Sequence, residues 1–110
     1  MAYGSSAVSI TCAALGDPTR MAVLDALRDG SLSVGEIAAR LPVSRPAVSQ
    51  HLKVLRDAAL VSERHAGTRH YFTINPAALV ELRAYIDAMW RDALGSYARH
   101  VDEREAHDGR

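Results

Sequence analysis

The chain of 110 residues has a single cysteine, Cys12, and a formal net charge of zero. One cysteine excludes an intrachain disulfide and fits a reducing compartment. No apolar run approaches the roughly 18 residues that a membrane span needs. The opening residues, MAYGSSAVSI, lack the basic and apolar regions of a signal peptide. A cytoplasmic protein without a membrane partner is therefore expected. Catalytic sets are missing as well: no Ser/His/Asp, Cys/His or paired-carboxylate group can be assigned to one pocket, and no glycine-rich phosphate loop occurs. An enzyme is not expected, nor is a cofactor. No internal repeat or low-complexity stretch is present, and the length suits one domain with one core.

The zero net charge hides a segregation. Residues 1–39 carry two basic and four acidic residues, and residues 81–110 carry five basic against seven acidic. Residues 40–69 hold six basic (Arg40, Arg45, Lys53, Arg56, Arg64, Arg69) against two acidic (Asp57, Glu63). A polyanion would be attracted by this middle and repelled by the ends.

Within the middle, VSRPAVSQHLKVLRD (residues 43–57) has two faces when wound at about 100° per residue. Val48, Leu52 and Leu55 form a narrow apolar stripe, which reads as core-facing. Arg45, Pro46, Ser49, Gln50, Lys53 and Arg56 cover the other side with forked donors, amides and hydroxyls, and Asp57 joins them at the far end.

Around this segment the pattern gives a mainly α fold with a small β-hairpin: about five helices and a two-stranded wing. A first helix through residues 5–15 sets Ala7, Ile10, Ala14 and Leu15 at helical spacing. Asp17 caps a second, with Pro18 in its first turn, running to about Asp29 and aligning Met21, Val23, Leu24 and Leu27 before Gly30. Ser33 and Glu36 have the spacing of a capping box and open a short helix with Ile37, Ala38 and Leu41 inward. Ser44 caps the segment described above. Two such helices joined by a tight turn read as helix-turn-helix. Strand formers on either side of Ala66-Gly67-Thr68 then read as a hairpin. Asn75 and Pro76 begin a last helix to about Ala98, roughly 35 Å long. Its stripe of Leu79, Leu82, Ile86, Met89, Ala93 and Tyr97, widened by Tyr85, Trp90 and Leu94, is broader than one small domain covers. A homodimer through the first and last helices is expected, with Ile10 in the interface. The domain would occupy residues 1–101, and the polar residues 102–110 would form a disordered tail.

The strings LGDPTRMAVLDAL, SVGEIAARLPVSRPAVSQHLKVLRDAALV and RHAGTRHYFTI, followed by the long helix, resemble the ArsR family of bacterial winged-helix repressors, in particular its SdpR-type and actinobacterial members. The resemblance spans about residues 13 to 98. It implies a homodimer on a (pseudo)palindromic double-stranded operator, repressing transcription of its own operon. It also assigns base contacts to Arg45, Pro46, Ser49 and Gln50, and phosphate contacts to Ser44, His51, Lys53 and Arg56. The wing residues Arg64, His65 and Arg69 would approach the minor groove. Arg45 has the fork that reads guanine, and Gln50 can pair bidentately with adenine. Plainer readings stand beside these: Pro46 fixing the first turn, Arg56 pairing with Asp57 at the surface, His51 covering the helix flank, Arg64 and Arg69 as a charged hairpin edge.

Metal or redox sensing, and a protein-interaction module, are the competing functions. The family's thiolate pair falls here on Ser33 and Gly35. Its last-helix site would fall on Pro76, Ala78, Met89 and Asp92, which offer no tetrahedral zinc set. Asp87, Met89, His100 and Glu103 reproduce the spacing about a dozen residues late, on what reads as a polar helix end. No metal site is expected. Cys12 reads as a small buried apolar residue, with a redox pair across the dimer as the alternative.

Overall fold

The computed structural model describes residues 6–108. The elements in chain order are α1 (Ser6–Leu15), α2 (Pro18–Ala26), β1 (Leu32–Ser33), α3 (Val34–Arg40), α4 (Arg45–Asp57), β2 (Val61–Ala66), β3 (Arg69–Ile74) and α5 (Pro76–Asp108). These are the five helices and the hairpin read from the sequence, with β1 in addition. Three helix starts follow from capping side chains. Asp17 accepts from the backbone N–H of Thr19 at 2.8 Å and of Arg20 at 3.0 Å. Ser33 and Glu36 close a reciprocal capping box. The Ser44 hydroxyl accepts from the Ala47 N–H, with Pro46 in the first turn.

The sheet is antiparallel in the order β1-β3-β2. Gly67, at φ 64°, is the first of the two residues closing the β2–β3 hairpin, where a positive φ suits the twist of the strands. β1 is too short to show any alternation, but Leu32 pairs opposite Phe72 and both are buried.

One core joins these parts. Val23 and Leu27 of the α2 region, Ile37 of α3, and Val48, Leu52 and Leu55 of α4 meet Leu60, Val61 and Phe72 of the wing root. Arg20 ties α1 to α2: its Nε donates to the Ala14 carbonyl at 2.7 Å and its Nη2 to that of Ala13 at 3.2 Å, so one side chain bonds two carbonyls of the last turn of α1, the second of which also accepts from the Gly16 N–H.

α1 buries a face that its spacing does not single out, and three expectations are corrected. α1 turns Val8, Thr11 and Ala14 inward, while Ala7 and Ile10 are exposed; the Thr11 hydroxyl is satisfied in the core by donating to the Ala7 carbonyl at 2.9 Å. α2 ends at Ala26 with Leu27 as its cap, and Met21 is exposed. α5 does not stop near Ala98: it runs through Gly95 and, with no proline or glycine between residues 96 and 108, continues through residues 102–108, the part expected to be a disordered tail. Cys12 is exposed rather than buried. Ser5, and residues 109 and 110 of that tail, lie outside the described residues.

Two stability predictions arise here. α4 closes in a Schellman motif: the Leu60 N–H reaches the Leu55 carbonyl and the Ala59 N–H reaches that of Arg56, both at 2.9 Å. The residue that must turn left-handed is Ala59, at φ 59°. Because a Cβ is penalised there, Ala59→Gly is expected to stabilise by about 0.5–1 kcal/mol, read as a higher urea midpoint at unchanged slope. Asp17 is held below its ordinary carboxylate value, first by the hydrogen bond from the Arg20 N–H, which outweighs the opposing desolvation, and with further help from that of Thr19. A lowered folded value means stability that is present above the unfolded value and lost as pH falls through the folded one. The melting temperature of Asp17→Ala is therefore expected below that of wild type at neutral pH. The difference should close as pH drops through the carboxylate range.

Candidate nucleic-acid interface

α4 presents its two faces as its sequence requires. Val48, Leu52 and Leu55 are at most 1% exposed, while Arg45, Pro46, Ser49, Gln50, Lys53 and Arg56 are all exposed and His51 is half-buried. Burying the apolar stripe against α2, α3 and the wing root fixes the rotation of the helix, so the polar side chains project outward together. Ser44 lies at the start of this face. The Arg45 guanidinium lies over Gly35 at the start of α3, where an added Cβ would stand 2.9 Å from its Nη2. A bare glycine at that position leaves room for the arginine. Arg45 and the wing residues Arg69 and His70 then line one open cleft.

The hairpin register divides the wing residues between two faces. Arg64 pairs with Tyr71 and Ala66 with Arg69, whereas Glu63 pairs with Phe72 and His65 with His70. Side chains alternate along a strand, so Arg64 and Arg69 share one face and His65 lies on the other. The expected wing set of Arg64, His65 and Arg69 is thus split. On the arginine face the Arg64 guanidinium lies 5.4 Å over the Tyr71 ring. The neighbouring Tyr71 side chain raises the Arg69 pKa further, and the guanidinium is charged in any case.

The opposite face holds a cluster that the sequence reading missed. Glu63 Oε1 accepts from Arg56 Nη1 at 3.0 Å, and its Oε2 accepts from His70 Nδ1 at 2.5 Å. His65 Nε2 is 3.5 Å from the same Oε2. Glu63 is held below the ordinary carboxylate range, mainly by the bond from His70 and then by that from Arg56, with desolvation opposing. The partner of Arg56 is thus chiefly Glu63; Asp57 is farther away at 3.9 Å. The available signal was strand alternation, which puts residues 63 and 65 on one face and residue 70 across from 65.

On α5, Ile86, Met89, Trp90, Leu94 and Tyr97 are between 47% and 67% exposed, and Ile10 of α1 is 52% exposed. Leu79 and Leu82 are half-buried, and Leu79 packs against the chain's own core. Asp87, Met89, His100 and Glu103 are exposed along the same helix. No helix among the described residues is long and apolar enough to cross a membrane.

Comparison with known proteins agrees with this architecture. A family described as a helix-turn-helix domain matches residues 15–64. The HTH-type transcriptional regulator Rv2034 of Mycobacterium tuberculosis is 53% identical over 89 residues, covering 81% of this chain and 83% of that protein. The transcriptional repressor SdpR of Bacillus subtilis is 36% identical, covering 60% and 73%. Among solved structures, an ArsR-like transcriptional regulator from Rhodococcus sp. RHA1 matches with a TM-score of 0.73 at 30% identity, covering 86% of this chain and 92% of that one. With the helix-turn-helix, the wing and the long last helix all in place, the chain belongs to the ArsR family of winged-helix transcriptional regulators.

Proposed function

We propose that the protein is a DNA-binding transcriptional repressor that acts as a homodimer on a pseudo-palindromic operator, its own upstream region included. The observation that carries this reading is the exposed polar face of α4, held outward by a stripe that is almost completely buried. Two such helices related by the dimer twofold enter successive major grooves about 34 Å apart. Arg45 reads guanine, Gln50 reads adenine, and Pro46 and Ser49 complete the base contacts. Ser44, His51, Lys53 and Arg56 hold phosphates and fix the register. Arg64 and Arg69 on the outer face of the wing reach the adjacent minor groove. The apolar side of α5, with Ile86, Met89, Trp90 and Tyr97 exposed, supports the dimer, helped by Ile10 and flanked by Leu82 and Leu79. The double-stranded operator is the partner, in the cytoplasm.

The test is a titration of the chain into its upstream duplex and into a shuffled duplex of the same composition, each at two salt concentrations. Tighter binding to the native duplex, with log affinity falling steeply with log salt, is the expected result. Absence of binding to either duplex at low salt would instead favour a protein-interaction module.

A further inference from the structure

We propose that Glu63, His65 and His70 form a zinc site between α4 and the wing, and that zinc held there strengthens the grip on DNA. The three donor atoms lie within 4.8 Å of one another. Two of them converge on a third: His70 Nδ1 and His65 Nε2 both face the same carboxylate oxygen, Oε2, at 2.5 and 3.5 Å. Donors bound to tetrahedral zinc at about 2.0–2.1 Å stand roughly 3.3 Å apart. The His65 separation already meets that spacing, and the His70 separation needs to open by less than about 1 Å. Both histidines are exposed, and the backbone pairing of residue 65 with residue 70 keeps their rings together, with centroids 3.9 Å apart. Two imidazoles and a carboxylate are a donor set that suits zinc, and water would complete the tetrahedron.

The surroundings also fit. Glu63 is the least exposed member, its side chain 17% accessible, and its other oxygen is held by Arg56 at 3.0 Å. Arg56 therefore orients the carboxylate without competing for Oε2, the part an outer partner plays at metal sites. Zinc would bind Nδ1 of a neutral His70 whose ring proton sits on Nε2, any further proton displaced from the site passing to solvent. The groove beside the cluster is lined by Ser49, Lys53 and Arg56 of α4, so the ion would add positive charge next to Lys53 and Arg56, both proposed to hold phosphates. This coupling rests on the DNA-binding reading; the site itself does not.

Zinc is titrated into the full chain without DNA, by calorimetry and by NMR of the histidine rings. One ion per chain is expected, shifting the His65 and His70 signals and leaving those of His51 and His100 in place. His70→Ala and Glu63→Gln should each weaken binding by at least about tenfold, as loss of a ligand or its support does. His100→Ala should bind as wild type, and circular dichroism checks that each variant is folded. In the second arm, zinc should tighten duplex binding several-fold and steepen the salt slope by about one unit, in wild type and not in His70→Ala. Zinc binding unaffected by both site variants would overturn the site. Zinc bound by the cluster with duplex affinity unchanged or weaker would overturn the coupling. A chain that binds zinc here but no duplex in either state contradicts the DNA reading and leaves the site standing.

Discussion

Replacing Leu52 with alanine is expected to cost about 2–5 kcal/mol of folding stability, the usual range for deleting a buried leucine. Its side chain is 1% exposed and belongs to the core that joins α2, α3, α4 and the wing root. A small domain has about 5–15 kcal/mol in total, so this one change removes a large fraction of it. The matched control lies two residues along the same helix. Val54 is 39% exposed, and Val54→Ala should stay within about 0.5 kcal/mol of wild type. Urea unfolding gives both values from the shift in midpoint at constant slope. Equal losses at the two positions would mean that α4 is rotated differently about its axis. Its polar face would then not be the outward one.

The second large effect concerns DNA. Arg45→Ala is expected to weaken binding to the preferred duplex by about 1–3 kcal/mol and to relax discrimination at one base position. Lys53→Ala should weaken binding to preferred and shuffled duplexes alike, with the salt slope reduced by about one. The contrast follows from position. Arg45 is at the amino-terminal end of α4, over Gly35 and beside the cleft shared with the wing. Lys53 is two turns farther on, on the part of the face proposed to hold phosphates. Competition binding with single-base variants separates the outcomes, and wild-type affinity in both variants would remove α4 from the interface.

Much of this architecture is legible in the sequence because its determinants are local. Asp17, Ser33 and Ser44 each reach a backbone N–H two or three residues on, and that depends only on spacing. The faces of α4 are legible for a related reason: thirteen residues of strong amphipathic pattern leave one way to bury the stripe. α1 was harder. Nearly every residue in it is small or apolar, so its inward face is chosen by what packs against it, and Val8 and Thr11 were selected over Ala7 and Ile10. The length of α5 is not legible from polarity alone, because charged residues that form helices well can continue an exposed helix that is already nucleated. Arg20 and the cluster around Glu63 depend on distance across the fold, between α1 and α2 and across a hairpin. No periodicity within one element reports such contacts. The division of the wing residues needed only the hairpin register, which the Gly67 turn supplies once its two central residues are identified.

The central claim, that α4 reads base sequence as part of a twofold-symmetric dimer, is tested most directly by selecting bound duplexes from a random pool with wild type and with Arg45→Ala. Wild type is predicted to enrich an inverted repeat whose half-site centres are separated by about 10 base pairs or a multiple of it. The variant is predicted to lose preference at one matching position in each half-site. A pool that stays random under wild type, or enriches one unrepeated site that the variant selects equally well, would contradict the account.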